Sequence, residues 1–499
     1  MQLRELLKTI NYIEMINPSG IDVNSFDIQR ISSHSRDTHK SSIFVCIVGS
    51  LVDGHKYAHD AYKRGCKIFI AQRELTDVPD DACVVIVNDS RIALAKLSAA
   101  FFDYPASKMT LIGITGTKGK TTSSLLVYNI LKSNGIPVGY IGSNGMAYND
   151  VFEETLNTTP ESYILHRYLK TMYDNGIRTV VMEVSSQAIK MARVHGIKFE
   201  IGVFTNLSPD HIGEFEHPDF NDYKECKHSF FTDYGVKYIV YNADDEYATE
   251  MLGGSKAQKI AISTDKNKTV DYNATHIALY KTDSKIAVNF TCAEANEQYN
   301  VDLSFPGNFS VYNALTAIAI CKQLGLTTKQ IVDSMATVKI AGRFETYALP
   351  NKATVVIDYA HNGVSLKAAL SALRKYGPKR LICLFGSVGG RTKMRRAELG
   401  LVASRDADLC ILTSDNPDNE SPTAIIAEIA SYFSVGSCPY IAITDRKEAI
   451  QHALSISQEG DIILLAGKGH EKYQLICGVR KEFSEADIIK EYCDSYLSV

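Results

Sequence analysis

Short apolar runs separated by helix-like stretches recur along the whole chain, and their spacing sets the expected architecture. In residues 1–108, Ser42–Val48, Lys67–Ala71 and Val84–Val87 read as strands, with helices over Ala58–Arg64 and Arg91–Phe101. This is a small α/β domain, closed by the turn formers Asp103, Tyr104 and Pro105. From 109 to 340, the strands Thr179–Met182, Ile201–Phe204 and Tyr238–Tyr241 alternate with helices, which predicts a parallel sheet covered on both faces. Within it, Lys256–Leu303 mixes polar and β-branched residues and is expected to form an antiparallel flap. From 341 to 499, strands at Thr354–Ile357, Arg380–Phe385, Leu409–Leu412, Tyr440–Ile443 and Ile462–Leu465 predict a Rossmann-like unit, with ligands beyond the carboxyl ends of its strands. The expected fold is α/β in three domains, 1–108, 109–340 and 341–499.

The strongest local signal is Gly113–Thr122, GITGTKGKTT, between an apolar lead-in and the helix-like run Ser123–Leu131. Glycines at a strand-to-helix turn let backbone N–H groups converge on phosphates, and the helix N-terminus favours the same anion. Lys120 would neutralise phosphate oxygens and the Thr121 hydroxyl would hold Mg²⁺. The spacing departs from GxxxxGK[ST] by one place, because Gly113 comes early; an ordinary tight turn is the competing reading.

Composition narrows the class. A net charge of -4 and a pI near 6.4 give no electrostatic case for binding nucleic acid or a membrane surface. Eleven cysteines without a CxxC pair read as reduced thiols of a cytoplasmic protein. Charges interrupt the apolar N-terminus, so it is read as neither signal peptide nor anchor, and no apolar run reaches the roughly 18 residues of a membrane span.

Further polar clusters follow strands. Glu183, in Glu183-Val184-Ser185-Ser186, could meet a phosphate-bound metal or cap the next helix, and His211 beside Asp210 could be a metal ligand or structural. Asn242–Asp245 could read an adenine or ribose edge or simply form a turn. Asp358 ends another strand, and Gly386–Arg396 sets basic residues behind glycines in a way that suits phosphate. Asp415–Asp418 and Gly467–Glu471 supply acids able to hold an ammonium group. Two phosphate-type sites with acids between them suggest an enzyme that closes to join ATP to a second substrate. A nucleotide switch would need only the first set.

The ordered series GTKGKTT, NTTP, EVSS, TNLSPDH, NADD, GR-x-E, DYAH, DNP and AGKGHE resembles the Mur ligase family, and within it the branch that makes the tripeptide precursor of peptidoglycan. The resemblance covers essentially the whole chain. It implies an N-terminal UDP-binding domain, a central phosphate-loop ATPase and a C-terminal Rossmann-like domain that receives an amino acid, acting on a UDP-N-acetylmuramoyl dipeptide; a monomer is expected, although the sequence does not fix the oligomeric state. ATP would convert a carboxylate to an acyl phosphate, which the incoming amine attacks.

By the same resemblance, ATP is held by Gly116, Thr117, Lys118, Gly119, Lys120, Thr121 and Thr122, and by Asn308, Arg343 and Asp358. Thr121, Glu183 and His211 position Mg²⁺, joined by Lys227, which family members carbamylate into a metal-ligating carboxylate. Ser35 contacts the uridine diphosphate; Asn157, Thr158, Thr159, Ser185 and Arg193 hold the muramoyl dipeptide; Lys393 and Arg396 close over the reacting groups, Arg396 near the amino acid. Lys120, Lys227, His211 and Lys393 form the expected catalytic set, with Asp415, Asn416, Asp418, Gly467 and Glu471 around the amino acid. The chain departs from the family at His34, Lys118, Met191 and the loop 209–215, which keeps open a diverged paralogue with another acceptor.

The acceptor turns on Asp415-Asn416-Pro417-Asp418-Asn419-Glu420. Relatives that add meso-diaminopimelate carry arginine at the position of Asp418, where it grips the second carboxylate. Aspartate there repels that group; like charges about 4 Å apart cost on the order of 4 kcal/mol at an effective dielectric near 20. L-lysine is therefore the expected amino acid, with L-ornithine and meso-diaminopimelate as alternatives. Folylpolyglutamate and cyanophycin-type ligases are disfavoured by residues 1–108, and a non-catalytic scaffold by the retained Lys120, Glu183, His211 and Lys227.

Overall fold

A computed structural model describes residues 1–49, 52–213, 216–282, 285–295, 297–390, 394–434 and 437–497. The chain divides into two compact units, Met1–Ser263 with Thr316–Gly325, and Thr264–Leu315 with Leu326–Val499.

The first unit holds two sheets. The N-terminal one runs Glu14–Ile16, Cys83–Ile86, Ile68–Ala71, Ser42–Val45, Arg30–Ser32, parallel except for the first pair. Its three central strands match the apolar runs; the edge strands 14–16 and 30–32 are short and only partly apolar, which hides them from a periodicity argument. The central sheet is parallel in the order Gln258–Ser263, Tyr238–Asn242, Ile201–Phe204, Thr110–Thr115, Thr179–Glu183, Val138–Gly142, and continues into the antiparallel strands Gly145–Tyr148 and Val151–Glu153. Thr110–Thr115 lies between Thr179–Glu183 and Ile201–Phe204, so three polar chain segments emerge side by side at one sheet end. Gly113 belongs to this strand: a Cβ there would lie 2.7 Å from the Phe230 ring and 2.8 Å from that of Phe199. Packing explains this glycine, and the phosphate loop proper begins after it.

The expected antiparallel flap is confined to the second unit, where Tyr272–Lys281, Ile286–Glu294 and Glu297–Leu303 form a meander. Gln258–Ser263 pairs in parallel with Tyr238–Asn242 instead, as its two-residue polar start and buried remainder allow. The C-terminal sheet has the order Glu345–Ala348, Thr354–Asp358, Ile462–Ala466, Leu381–Phe385, Leu409–Leu412, Tyr440–Ala442. All pairs but the first are parallel, as the apolar runs predict. The hairpin Tyr473–Ile476 with Val479–Glu482 is an addition that half-buried and exposed residues did not announce.

Candidate active site

In the first unit the chain leaves Thr115 and turns through Gly116 (φ 143°) and Gly119 (φ 87°) into the helix Lys120–Ser133. A Cβ on Gly116 would sit 2.0 Å from Thr205 Oγ1, so only glycine fits. The helix begins with no side-chain cap, an arrangement that suits an anion at its N-terminus. Asn206 fixes the loop: its carbonyl accepts from Thr117 N at 2.8 Å and its Oδ1 from Lys118 N at 2.9 Å. Lys120 Nζ folds over the loop and donates to Gly116 O at 2.7 Å and Thr117 O at 3.0 Å, while Thr122 is half-buried in the first helical turn.

Beneath the loop, the Thr121 hydroxyl donates to Glu183 Oε2 at 2.9 Å, and Glu183 Oε1 accepts from the Tyr140 hydroxyl and Ser143 N, each at 2.9 Å. Glu183 is fully buried and its hydrogen bonds come from neutral donors. A buried carboxylate beside a hydroxyl at the foot of a phosphate loop fits a hard divalent cation. Lys227, 1% exposed, reaches the same end from the helix Phe220–Asp233 and donates to Gly116 O at 3.0 Å. Burial, reinforced by the neighbouring charge of Lys120, pushes its pKa well below the ordinary lysine value.

His211 makes no hydrogen bond to Thr121 or Glu183. It is 45% exposed, at φ 57°, with Nδ1 3.3 Å from Glu216 Oε1. The buried imidazole of this loop is His217, which the motif pattern does not single out. Its Nδ1 lies 2.5 Å from Asp222 Oδ2 and its Nε2 2.9 Å from Ser186 Oγ. His217 N also donates to His211 O and its carbonyl accepts from Gly213 N, so this residue pins the loop to the segment after Glu183. The available signal was its place six residues after His211, ahead of the helix that carries Lys227. His217, Asp222 and Cys226 are spaced for a metal, but Lys190 already neutralises Asp222 at 2.7 Å and both imidazole nitrogens are engaged. His217→Ala should lower stability by about 2–3 kcal/mol and raise amide exchange over 209–213; unchanged exchange would show that the loop is held by other contacts.

The residues expected around the dipeptide converge in part. Thr159 Oγ1 donates to Glu183 O at 2.8 Å and accepts from Ser185 N at 3.1 Å, Arg193 donates to Thr159 O at 3.0 Å, and Thr158 Oγ1 lies 2.9 Å from Ser143 Oγ. Asn157 is exposed, and Ser35 opens a short 3₁₀ turn in the N-terminal domain.

The second unit gathers its polar residues at the carboxyl ends of its parallel strands. Asp358 is buried, and burial lifts its pKa to about 6 against the pull of Arg343. Gly342, at φ 68°, packs so closely on the Gly469–His470 turn that a Cβ would lie 2.0 Å from His470 N, and its own N–H donates to Glu345 at 2.9 Å, which accounts for the GR-x-E pattern. Asn308 is exposed at the start of the helix Asn308–Gln323, and Lys393 lies outside the described residues.

Around the expected amino-acid site the structure changes the sequence picture twice. Asp415 and Glu471, read as partners for a substrate ammonium, already face the protein's own Lys468. That amine is fully buried, 2.8 Å from Glu471 Oε2, 2.9 Å from Asn416 Oδ1 and 3.7 Å from Asp415 Oδ1. Arg396, 2% exposed, is gripped by Glu420 at 2.6 and 2.8 Å and by Glu428 at 2.6 Å, so its guanidinium is committed within the protein. Both pairings follow from desolvation: a buried charge needs a partner whether or not substrate is present. Gly467, at φ 111°, passes so close to Asp415 that a Cβ would lie 2.7 Å from Oδ2. Asp418, at φ 49°, accepts from Gly478 N at 2.9 Å. It lines a cleft of about 620 Å³ with Ser414, Glu420, Asp445, Glu448 and Gln474.

A phosphate loop on a parallel sheet, a buried hydroxyl–carboxylate pair below it and a separate Rossmann-like unit define a nucleotide-dependent enzyme of the ligase class. The Mur ligase middle domain matches residues 114–321 and the Mur ligase, glutamate ligase domain matches 342–469. A UDP-N-acetylmuramoyl-L-alanyl-D-glutamate--2,6-diaminopimelate ligase of Caldanaerobacter subterraneus is 37% identical over 98% of both chains, and that of Clostridium perfringens 35% over 98% of this chain and 99% of its own. A solved structure of an enzyme of the same name has a TM-score of 0.69 at 26% identity, covering 100% of this chain and 99% of the other. The chain belongs to the Mur ligase family of ATP-dependent ligases, which serve peptidoglycan synthesis. Among the described residues no helix is long and apolar enough to cross a membrane.

Proposed function

We propose that the protein joins an amino acid to the D-glutamate of UDP-N-acetylmuramoyl-L-alanyl-D-glutamate, with ATP cleaved to ADP and phosphate, and that the amino acid is L-lysine. The donor side rests on the full-length likeness to relatives named for that nucleotide-linked dipeptide. In this reading the γ-phosphoryl group passes to the glutamate carboxylate, and the amine attacks the acyl phosphate and expels phosphate. Lys120 screens the repulsion between the two anions, and a Mg²⁺ held by Thr121 and Glu183 would add to that screening. Thr158, Thr159, Ser185 and Arg193 orient the dipeptide, and Ser35 meets the uridine diphosphate.

One observation carries the choice of acceptor. The cleft beside Asp418 is lined by four carboxylates, Asp418, Glu420, Asp445 and Glu448, and by no lysine or arginine among the described residues. Arg396 offsets Glu420, which leaves the cleft net negative and suited to a side chain ending in an ammonium alone. Names of the relatives favour a second reading, meso-diaminopimelate, whose distal carboxylate would have to enter that negative field.

Turnover with the UDP-linked dipeptide, ATP and each amino acid at equal concentration separates the two. Lysine should be used at least about tenfold better than meso-diaminopimelate, a gap of about 1.4 kcal/mol. Asp418→Asn should narrow that preference, since asparagine tolerates the left-handed backbone and removes the charge. Faster use of meso-diaminopimelate by the unmodified protein would overturn the lysine assignment.

A further inference from the structure

Lys118 stands inside the phosphate loop, yet its ammonium leaves the loop and donates to Asp210 Oδ2 at 3.0 Å. Its peptide cannot follow. The N–H donates to Asn206 Oδ1 at 2.9 Å, and the carbonyl accepts from Asn206 Nδ2 at 3.0 Å and from Thr205 Oγ1 at 2.7 Å. Both partners keep access to solvent, with side chains 43% and 28% exposed, so the ion pair is weak and exchangeable. The other carboxylate oxygen of Asp210, Oδ1, accepts from His211 N at 3.0 Å, within the turn that sets His211 at φ 57°.

We propose that the Lys118–Asp210 pair is a latch that nucleotide triphosphate displaces, coupling occupancy of the phosphate loop to the 209–213 loop. Several negative charges arriving beside Lys118 offer it charge-assisted hydrogen bonds that a single, partly hydrated carboxylate cannot match. With the peptide pinned, only the flexible four-carbon stem has to swing. Asp210 is then released from its cation, and residues 209–213 lose their ion pair with the phosphate loop, while Ser208 stays hydrogen-bonded to Thr117 Oγ1 at 3.0 Å. The apoprotein state competes with nucleotide, so cutting the latch from the Asp210 side should improve binding, while removing Lys118 should impair it. The proposal rests on the ATP-binding reading of the loop and is independent of which amino acid is added.

Calorimetric titration of the full chain with Mg²⁺ and the non-hydrolysable β,γ-methylene analogue of ATP, for the unmodified protein, Asp210→Asn, Lys118→Met and the double variant, tests it. Asp210→Asn should tighten binding about threefold or more, Lys118→Met should weaken it about tenfold, and the gain from Asp210→Asn should vanish in the double variant. Amide exchange over 209–213 should rise when the analogue binds the unmodified protein. Weaker binding by Asp210→Asn, or a gain that persists without Lys118, overturns the latch. If the unmodified protein binds no analogue, the ATP reading of the loop falls and the latch with it, a result distinct from either of those.

Discussion

Lys227→Ala is expected to lower turnover at least about 100-fold, with part of the loss restored by millimolar acetate or formate. The expectation follows from where Lys227 sits. A lysine 1% exposed, with no carboxylate among its hydrogen-bond partners, is costly to keep charged, and burial drives it toward the neutral amine. A neutral amine can attack carbon dioxide: the N–C bond forms, one proton leaves, and the product carries a carboxylate. That group would turn a buried base beside the phosphate loop into an anion that, like Glu183, can serve a divalent cation. Small carboxylates can enter the space left by alanine and supply the same charge. Mass spectrometry of the intact protein under carbon dioxide, together with the rescue assay, checks the idea; full activity of the unrescued variant would sink it.

Arg446→Ala is expected to destabilise the second unit by about 3–5 kcal/mol and to abolish ligation at ordinary growth temperature. Arg446 is fully buried and donates to Glu485 at 2.9 Å, to Ser414 O at 3.1 Å and to Ala466 O at 2.9 Å. It therefore ties together the carboxyl ends of two strands, one leading into Asp415 and the other into Gly467. Burial already raises the pKa of Glu485, and Arg446 is what opposes that rise. Without the guanidinium, Glu485 and two strand-end carbonyls lose their donor in a dry environment. Arg446→Lys should recover only part of the loss, since one ammonium cannot reproduce the planar fork. Urea unfolding of the variants gives the measurement, and a variant as stable as the parent would show that the pair is dispensable.

Much of this site could be read along the chain because its parts are local. Gly116, Gly119, Lys120 and Thr121 act within one turn, and a strand-to-helix junction with glycines is a short-range signal. Four of the parallel strands of the C-terminal sheet, Thr354–Asp358, Leu381–Phe385, Leu409–Leu412 and Ile462–Ala466, were legible for a related reason: strands buried on both faces must be apolar throughout. Short edge strands such as Glu345–Ala348 carry no such constraint and escaped notice.

Charge pairing was not legible, because it joins residues far apart in sequence. Lys468 could not be assigned to Asp415, nor Arg396 to Glu420 and Glu428, from spacing alone. The same holds for the contact of His217 with Ser186, which lies 31 residues earlier in the chain. The chain alone thus determined the phosphate loop, the strand-rich α/β architecture and the Mur ligase motifs, all written in contiguous residues. Which acids remain available to a substrate, which histidine is buried and which lysine is stripped of water were decided only by tertiary structure, because desolvation and long-range ion pairing exist only once distant segments are packed together.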